Sequence, residues 1–340
     1  MREPAFLRRN KDKWLEYERT LSSGYQGNLS PDQLAELYVQ LTDDLAYART
    51  FYPQSKTVKY LNGLAARTHL AIYKNKKEKK NRLLSFWTEE LPLIYRSTHK
   101  YMLYSMVLFT FTFLVGFIAT LQTDDFARAV LGNGYVDMTL KNIEKGDPMG
   151  VYKDDPSFPM FVQISLNNIR VSFFAFVMGI FLSFGTMYIL FQNGIMVGVF
   201  FAFFHTRGLI WEALPVIYIH GTLELSAIVI AGGAGFLLGN SILFPGTFTR
   251  KESIQAAAKK GIKIMLGLIP VFLMAGWLES YITRLTEMPL LVKLLIILVS
   301  LTFILGYYVF YPIYLERKIK AKKNLGEGGG TLEELSLSLS

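Results

Sequence analysis

The sequence predicts an all-α protein, a polytopic membrane helix bundle with about six crossings that follows an N-terminal soluble helical domain. Apolar runs of about 20 residues, the length that crosses a bilayer, recur after residue 100. The charged residues are concentrated in the first hundred positions, a few loops and the tail. We therefore predict a cytosolic helical domain at 1–100, a transmembrane bundle at 101–313 and a cytosolic tail at 314–340 that is basic and then flexible.

The first hundred residues have the pattern of a small helical domain. Phe6, Leu7 and Trp14 recur at near-helical spacing among charged residues. Ser30 followed by Pro31 predicts the start of a second helix, and a third is expected from about 56 to 73. The charged run KNKKEKKNR at 74–82 predicts a solvated linker that faces the anionic inner leaflet. The segment before residue 101 suits an interfacial helix.

Five apolar stretches predict membrane crossings, and a sixth region is less regular. The clear stretches are 101–121, 161–191, 222–243, 262–282 and 289–313. The region 194–221 is interrupted by polar residues and Pro215. The chain is predicted to be cytosolic both near residue 191 and near residue 245, which requires an even number of crossings between these points. Because 222–243 is only one crossing, 194–221 must cross as well. We expect this third crossing to be irregular or partly re-entrant, which requires that it face protein or a wet cavity.

The distribution of lysine and arginine predicts the orientation, because these residues are enriched in cytoplasmic segments. Residues 1–100 contain 18 of them against 11 acidic residues, and the loop 244–261 contains four against one. The loop 122–160 reverses this balance, with four basic and seven acidic residues. Both termini are therefore predicted to be cytosolic, and the 122–160 loop extracytoplasmic.

Composition argues against several classes of function. The chain has no cysteine, which excludes disulfides and thiolate chemistry. The net charge of +9 is explained by basic cytosolic loops, and no nucleic-acid recognition motif accompanies it. Neither a phosphate-binding loop nor a G-x-S-x-G nucleophile elbow is present. We predict no nucleic-acid partner and no cofactor, and the sequence favours a protein that is not an enzyme.

His220 and Glu224 are the strongest candidates for a functional site. Four residues apart, they share one face of a helix in a segment that is otherwise apolar. They could form a proton relay, half of a metal site or a polar partner for a substrate, or they could sit at the membrane edge and bond to each other or to a neighbouring helix. A catalytic zinc site needs three protein ligands. Glu212 or His205 could supply the third, but the spacing does not show it, and no metal is predicted.

Further polar and small residues are candidates for a site or for packing. Asn167, Asn168 and Arg170 are expected near the outer end of the second crossing, either at the headgroups or at an entry to the core. Arg207 is a further polar candidate. Small residues let helices approach closely, and helix packing is predicted at Asn193, Gly194, Gly198, Gly232, Gly233, Gly235 and Gly239. Such helices also favour self-association, which predicts a homodimer.

These residues resemble the stage II sporulation protein M family. The pattern is His220-Gly221 with Glu224, then the glycines that follow, and Asn193-Gly194 with Gly198 upstream. In the first domain, Asp44-Leu45-Ala46 with Arg49 is similar to the longer, non-sporulation branch. The resemblance implies a bacterial inner-membrane protein. The sporulation member is a scaffold for peptidoglycan-degrading enzymes, but the extra domain here departs from it, and no catalytic residue can be transferred.

Two functions from different classes therefore stay open. The first is a non-enzymatic scaffold of a cell-envelope complex that contacts membrane lipids and envelope-complex or cell-wall enzyme partners. Long members of the family are associated with MoxR-type ATPases and von Willebrand A-domain proteins, which implies such an assembly. The alternative is a transporter or channel for a small molecule, lipid or proton that uses His220 and Glu224. A weaker third hypothesis is an intramembrane hydrolase with a metal at the same pair.

Overall fold

The computed structural model describes residues 2–22, 31–74, 82–153, 156–285 and 287–324. The chain divides into two compact units, Met1–Arg82 and Leu83–Ser340. All regular secondary structure in the described ranges is helical. The predicted all-α fold with an N-terminal helical region is therefore confirmed. The expected cap Ser30, most of the basic linker and the end of the tail lie outside the described residues.

The first unit contains three helices around its own apolar core. They are α1 (Glu3–Ser22), α2 (Pro31–Phe51) and α3 (Lys56–Lys74). The core is made of side chains that recur at helical spacing on all three helices, namely Phe6, Trp14, Leu37, Leu41, Leu45, Ala48, Leu61, Leu64 and Ala65. Burial of these apolar faces is what stabilises the three helices, because isolated helices of this length are marginal in water.

Trp14 joins the apolar core of this unit to a polar contact. Its ring is only 2% exposed, and its indole nitrogen donates a 2.8 Å hydrogen bond to Asp44 Oδ2. Lys13 Nζ lies 2.6 Å from the same oxygen. The indole therefore fixes α1 against α2 through apolar burial and through a charge-assisted hydrogen bond.

Replacing Trp14 by phenylalanine is expected to destabilise the first unit by about 2 kcal/mol, because it leaves Asp44 without its indole donor and shrinks a buried ring. Hydrogen exchange of the α1 to α3 amides in the full chain measures this free energy. Val39→Ala, at a side chain that is 56% exposed, should change the same free energy by less than about 0.5 kcal/mol. Equal protection in the two variants would contradict the assignment.

The second unit is a bundle with six helices long and apolar enough to cross a membrane. They are α4 (Arg82–Gln122), α7 (Ser157–Ile180), α8 (Phe184–Thr206), α9 (Ile210–Leu243), α10 (Arg250–Thr283) and α11 (Leu290–Ala321). Two short helices, α5 (Asp124–Leu131) and α6 (Asn133–Glu144), lie between α4 and α7. The predicted number of crossings is confirmed, and the protein is a multi-pass membrane protein.

The third crossing differs from the prediction, because it is a continuous helix. The predicted stretch 161–191 is divided between α7 and α8 by a tight turn at 181–183. Leu182 and Ser183 adopt left-handed conformations in this turn, with φ of 52° and 72°. The supposedly broken region 194–221 is the second half of α8 followed by the start of α9. Pro215 lies early in α9, where it removes only one interior helix hydrogen bond.

The first crossing begins earlier than residue 101. Leu91, Ile94 and Tyr95 have no exposed surface and belong to the core of the second unit. Residues 82–100 therefore form part of α4, which contains a π-helical turn at Phe86–Glu90. The boundary between the two compact units lies near residue 82 instead of 100.

Helix α9 is the central helix of the second unit and contacts α4, α7, α8, α10 and α11. Its glycines permit these contacts. A Cβ at Gly235 would lie 2.5 Å from the Ala175 carbonyl oxygen on α7, and one at Gly233 would lie 2.9 Å from the backbone of Met102 on α4. Gly232 and Gly239 contact Ser105 and Ser183 in the same way.

Gly194 and Gly198 on α8 pack against α4, where a Cβ would meet Thr112 and the Phe113 carbonyl. The Asn193 amide donates a 2.8 Å hydrogen bond to the Ile189 carbonyl within α8. Both glycine ridges are thus occupied by helices of the same chain. They do not provide a surface for self-association, and the homodimer stays a prediction without their support.

Candidate functional site

Three titratable side chains converge inside the second unit. His220 and Glu224 come from the middle of α9, and Glu279 comes from the end of α10. One nitrogen or carboxylate oxygen from each lies within 4.8 Å of the others. His220 is only 5% exposed, and both glutamates are partly buried. Spacing by four residues places the α9 pair on one face of that helix, which is turned toward α10.

The last part of α10, Leu278–Thr283, is a π-helical segment that lies against His220. The Thr283 hydroxyl donates to the Leu278 carbonyl over 3.2 Å, and His220 Nδ1 lies 3.0 Å from the same hydroxyl oxygen. When the hydroxyl gives its single proton to the Leu278 carbonyl, Nδ1 is the donor in the second bond; in the other tautomer the hydroxyl donates to Nδ1. Local π-helical turns occur frequently at functional sites, and this one places Glu279 and Thr283 on either side of the imidazole.

The other ring nitrogen of His220, Nε2, lies near a carboxylate group. Nε2 lies 3.9 Å from Glu279 Oε2, beyond the length of a hydrogen bond. In a neutral imidazole with its proton on Nδ1, the Nε2 lone pair faces the Glu279 carboxylate, and the Glu224 carboxylate belongs to the same cluster. Negative charge gathered in a membrane interior is strongly unfavourable unless it is compensated. The arrangement requires positive charge between these groups, supplied by protons or by a bound cation.

Two tyrosines from the segment between α4 and α7 cover the cluster. The Tyr152 ring lies edge-on to His220, with centroids 5.9 Å apart, and Tyr135 lines the same space. Burial raises the pKa of the Tyr152 phenol well above its ordinary value and that of Tyr135 to about 12. Both therefore remain neutral hydrogen-bond donors at physiological pH. The Tyr152 hydroxyl makes no hydrogen bond to any residue that the structure describes.

The cluster forms one wall of a cavity of about 490 Å³. Gln163 on α7 and Met196 on α8 also line it, and both are exposed, so the cavity reaches the surface between these two helices. Asn168 on α7 is buried and lies beside the Glu224 carboxylate. The cavity is thus apolar toward α8 and polar toward α9 and α10, an arrangement typical of small-ligand sites.

Comparison with known families identifies the membrane unit. The family model described as stage II sporulation protein M matches residues 105–284. The chain belongs to the stage II sporulation protein M family. The resemblance expected from the sequence is therefore confirmed. A second family model, described as a domain of unknown function (DUF8413), matches residues 4–74. No curated protein and no solved structure gives a match.

The part matched by the stage II sporulation protein M model contains the whole cluster. It runs from within α4 to the end of α10, and so includes His220, Glu224, Glu279 and the two covering tyrosines. The DUF8413 match corresponds to α1, α2 and α3 of the first unit. The candidate site thus lies entirely within the segment that defines membership of the family.

The structure brings together only some of the polar candidates predicted from the sequence. Asn168 is buried and lies beside Glu224. His205 and Glu212 are exposed and do not line it. Arg207, at the end of α8, pairs with Asp124 at 3.3 Å and stacks on a phenylalanine ring of its own helix.

The three candidates on α7 lie well inside their helix. Asn167, Asn168 and Arg170 lie near the middle of the 24-residue α7 and not at its outer end, because the helix already begins at Ser157. Asn167 and Arg170 point away from the cavity and are exposed.

Sequence reasoning missed Glu279, which supplies the third group that His205 or Glu212 was considered for. It lies 55 residues after Glu224, so no local spacing connects them. The available signal was a carboxylate inside the predicted crossing 262–282, where ionisable residues are unusual. Tyr135 and Tyr152 were missed because nothing in the 122–160 loop marks them.

Proposed function

We propose that the protein moves a small cation or protons across the membrane through the cavity at His220, Glu224 and Glu279. The observation that supports this function is the convergence of a histidine lone pair and two carboxylates on one cavity inside a membrane bundle. Transport sites are commonly built from such groups at membrane depth. The same cluster in a protein with only a structural role would leave acidic groups facing one another.

The proposed path follows the walls of the cavity. A cation enters between α7 and α8, where Gln163 and Met196 are exposed, and replaces its hydration with the glutamates and the imidazole. Asn168 lies beside the Glu224 carboxylate, and the two neutral tyrosines form part of the cavity wall. The family resemblance supports a bacterial inner membrane and the charge distribution supports cytosolic termini, so the tyrosine-covered side faces the outside. The cation is then collected from the extracytoplasmic side.

Single-cysteine labelling is expected to show that the cavity is wet. The chain has no native cysteine, so each introduced thiol reports on one position. Gln163→Cys at the cavity should react with a membrane-impermeant maleimide, and Leu238→Cys, in the packed part of α9 at 6% exposure, should not. The ratio of labelling rates should exceed about tenfold, because only thiolate in water reacts. Equal rates would argue against a water-filled cavity.

A second candidate function, a partner-organising component of an envelope complex, is supported by the outer face of α7. Asn167 and Arg170 are exposed there and make no hydrogen bond or ion pair to any described residue. An arginine facing lipid at the middle of a helix costs at least about 3 kcal/mol. A transmembrane helix of another protein that carries a carboxylate would remove this cost. A second copy of the same face would place two arginines together, so this face favours a different protein.

Replacing Arg170 by leucine is expected to release such a partner during purification from native membranes, because the ion pair that holds it is lost. Crosslinking before extraction, followed by mass spectrometry, measures the change. Phe174→Leu, one turn further along the same exposed face, is the matched control and should retain the partner. A set of crosslinked proteins that does not change with Arg170→Leu would contradict the scaffold function at this face.

A further inference from the structure

We propose that His220 Nε2 and the carboxylates of Glu224 and Glu279 bind a divalent transition-metal ion. This inference rests on the proposed function and names the ligand that the cavity takes. The three groups come from α9 and α10, which pack against each other, so the bundle itself brings them together. An imidazole nitrogen with two carboxylate oxygens is a ligand set that suits Zn²⁺, Mn²⁺ or Fe²⁺.

The separations suit one shared ion better than direct contacts. Ligand atoms that each lie about 2.1 Å from one metal ion are about 3 to 4 Å from each other. The Nε2 to Oε2 separation of 3.9 Å between His220 and Glu279 falls in this range. All three ligand atoms lie within 4.8 Å of one another, so small rotations of the flexible glutamate side chains close the remaining gap.

The histidine is already oriented as a metal ligand. Metal-binding histidines almost always donate their other ring N–H to a hydrogen-bond acceptor, which fixes the tautomer. Here Thr283 Oγ1 lies 3.0 Å from Nδ1 and 3.2 Å from the Leu278 carbonyl, so it can accept the Nδ1 proton while it gives its own to that carbonyl. In this tautomer the Nε2 lone pair is free on the side of Glu279.

Tyr152 provides a second and independent indication of a ligand. Its side chain is only 8% exposed and lines the cavity beside the cluster, yet its hydroxyl has no hydrogen-bond partner among the described residues. Because the residue lines the cavity, this hydroxyl opens into it and can donate to whatever the cavity holds. A water molecule bound to the metal ion would accept this hydrogen bond and complete the coordination.

Charge and donor type select the ion. Two ionised carboxylates are neutralised by one divalent cation or by two protons, whereas one monovalent cation leaves one negative charge uncompensated. Mg²⁺ and Ca²⁺ prefer sites made only of oxygen ligands. The imidazole therefore favours a transition metal over these ions.

Metal binding to the purified full chain tests the inference directly. The protein in detergent is stripped with a chelator and titrated with Co²⁺, whose visible absorption reports coordination, and with Zn²⁺ and Mn²⁺ in competition. We expect about one ion per chain by elemental analysis. Glu279→Gln and His220→Gln should each weaken binding at least tenfold, and Mg²⁺ should not compete at equal concentration.

Two conservative variants guard against simple unfolding. Thr283→Val keeps the shape of the side chain but removes the acceptor for Nδ1, and should weaken metal binding about 10- to 100-fold. Glu212 lies on α9, as His220 and Glu224 do, but it is exposed and away from the cavity. Glu212→Gln should therefore bind the metal ion as the unaltered protein does. Each variant is compared only after it elutes as one symmetric peak in size-exclusion chromatography.

The outcomes separate this inference from the proposed function. Unchanged metal binding in both Glu279→Gln and Thr283→Val would overturn the metal site. Flux that depends on Glu224 in a protein that binds no transition metal would also overturn it but would leave transport intact. Metal bound at these residues without flux of any cation would support the site and remove the proposed transport function.

Discussion

Glu224→Gln is expected to abolish cation or proton movement by the protein reconstituted in vesicles. The substitution keeps the size and hydrogen-bonding capacity of the side chain but removes one of the two negative charges that face His220. Removing one partner from a buried charge cluster costs about 3 to 5 kcal/mol. That corresponds to at least a hundredfold lower occupancy by a cation. Flux of protons, followed with a dye inside the vesicles, and of Zn²⁺ or Mn²⁺, followed by elemental analysis, measures the effect.

The matched control is Glu212→Gln, which removes the same charge from the same helix at an exposed position. It should leave flux unchanged, because Glu212 does not line the cavity. Both variants must reach the vesicles in equal amounts and elute identically from a sizing column. Flux at the level of the unaltered protein in Glu224→Gln would rule out a transport path through the cluster, and the partner-organising function would then be favoured.

The number of crossings was predictable because it depends on summed properties of long segments. Apolar length and the lysine and arginine balance are averaged over many residues, so single interruptions such as Pro215 do not change the count. Helix ends were not predictable in this way. Helix α4 begins with charged residues, and its apolar part begins only near residue 101. The turn at 181–183 consists of Phe, Leu and Ser, and its hydropathy is that of a membrane-crossing segment. The chain nevertheless reverses there, at Leu182 and Ser183.

The candidate site was predictable only where its residues share one helix. His220 and Glu224 were identified because spacing by four residues is a local property. Glu279 joins them through the packing of α10 on α9, which no sequence pattern describes. Asn168 was identified as polar, but its role depends on the helical phase of α7, which buries Asn168 beside Glu224 and leaves Asn167 and Arg170 exposed. Asn167 and Asn168 are neighbours in the sequence, yet one is exposed and the other is buried.

Gly235→Leu is expected to prevent assembly of the membrane unit. The first added carbon would lie 2.5 Å from the Ala175 carbonyl oxygen, and it would also clash with the Thr186 side chain, which hydrogen-bonds to that oxygen. Overpacking a well-packed interior costs about 1 to 3 kcal/mol even when flexible side chains can move. Here the neighbour is backbone, and α7 and α9 would have to separate, which would also move Asn168 away from Glu224. Fluorescence-detected size-exclusion chromatography of the expressed protein should show aggregate in place of the main peak.

Gly306→Leu is the control that distinguishes crowding from the change of residue type. It introduces the same side chain into a crossing helix at a position where a Cβ meets no atom within 4 Å, so the main peak and the thermal midpoint should be retained. If Gly235→Leu assembled as well as Gly306→Leu, α7 would not lie against the glycines of α9. Asn168 and Gln163 would then have no fixed position relative to Glu224, and the cavity described between these helices would not exist in the membrane.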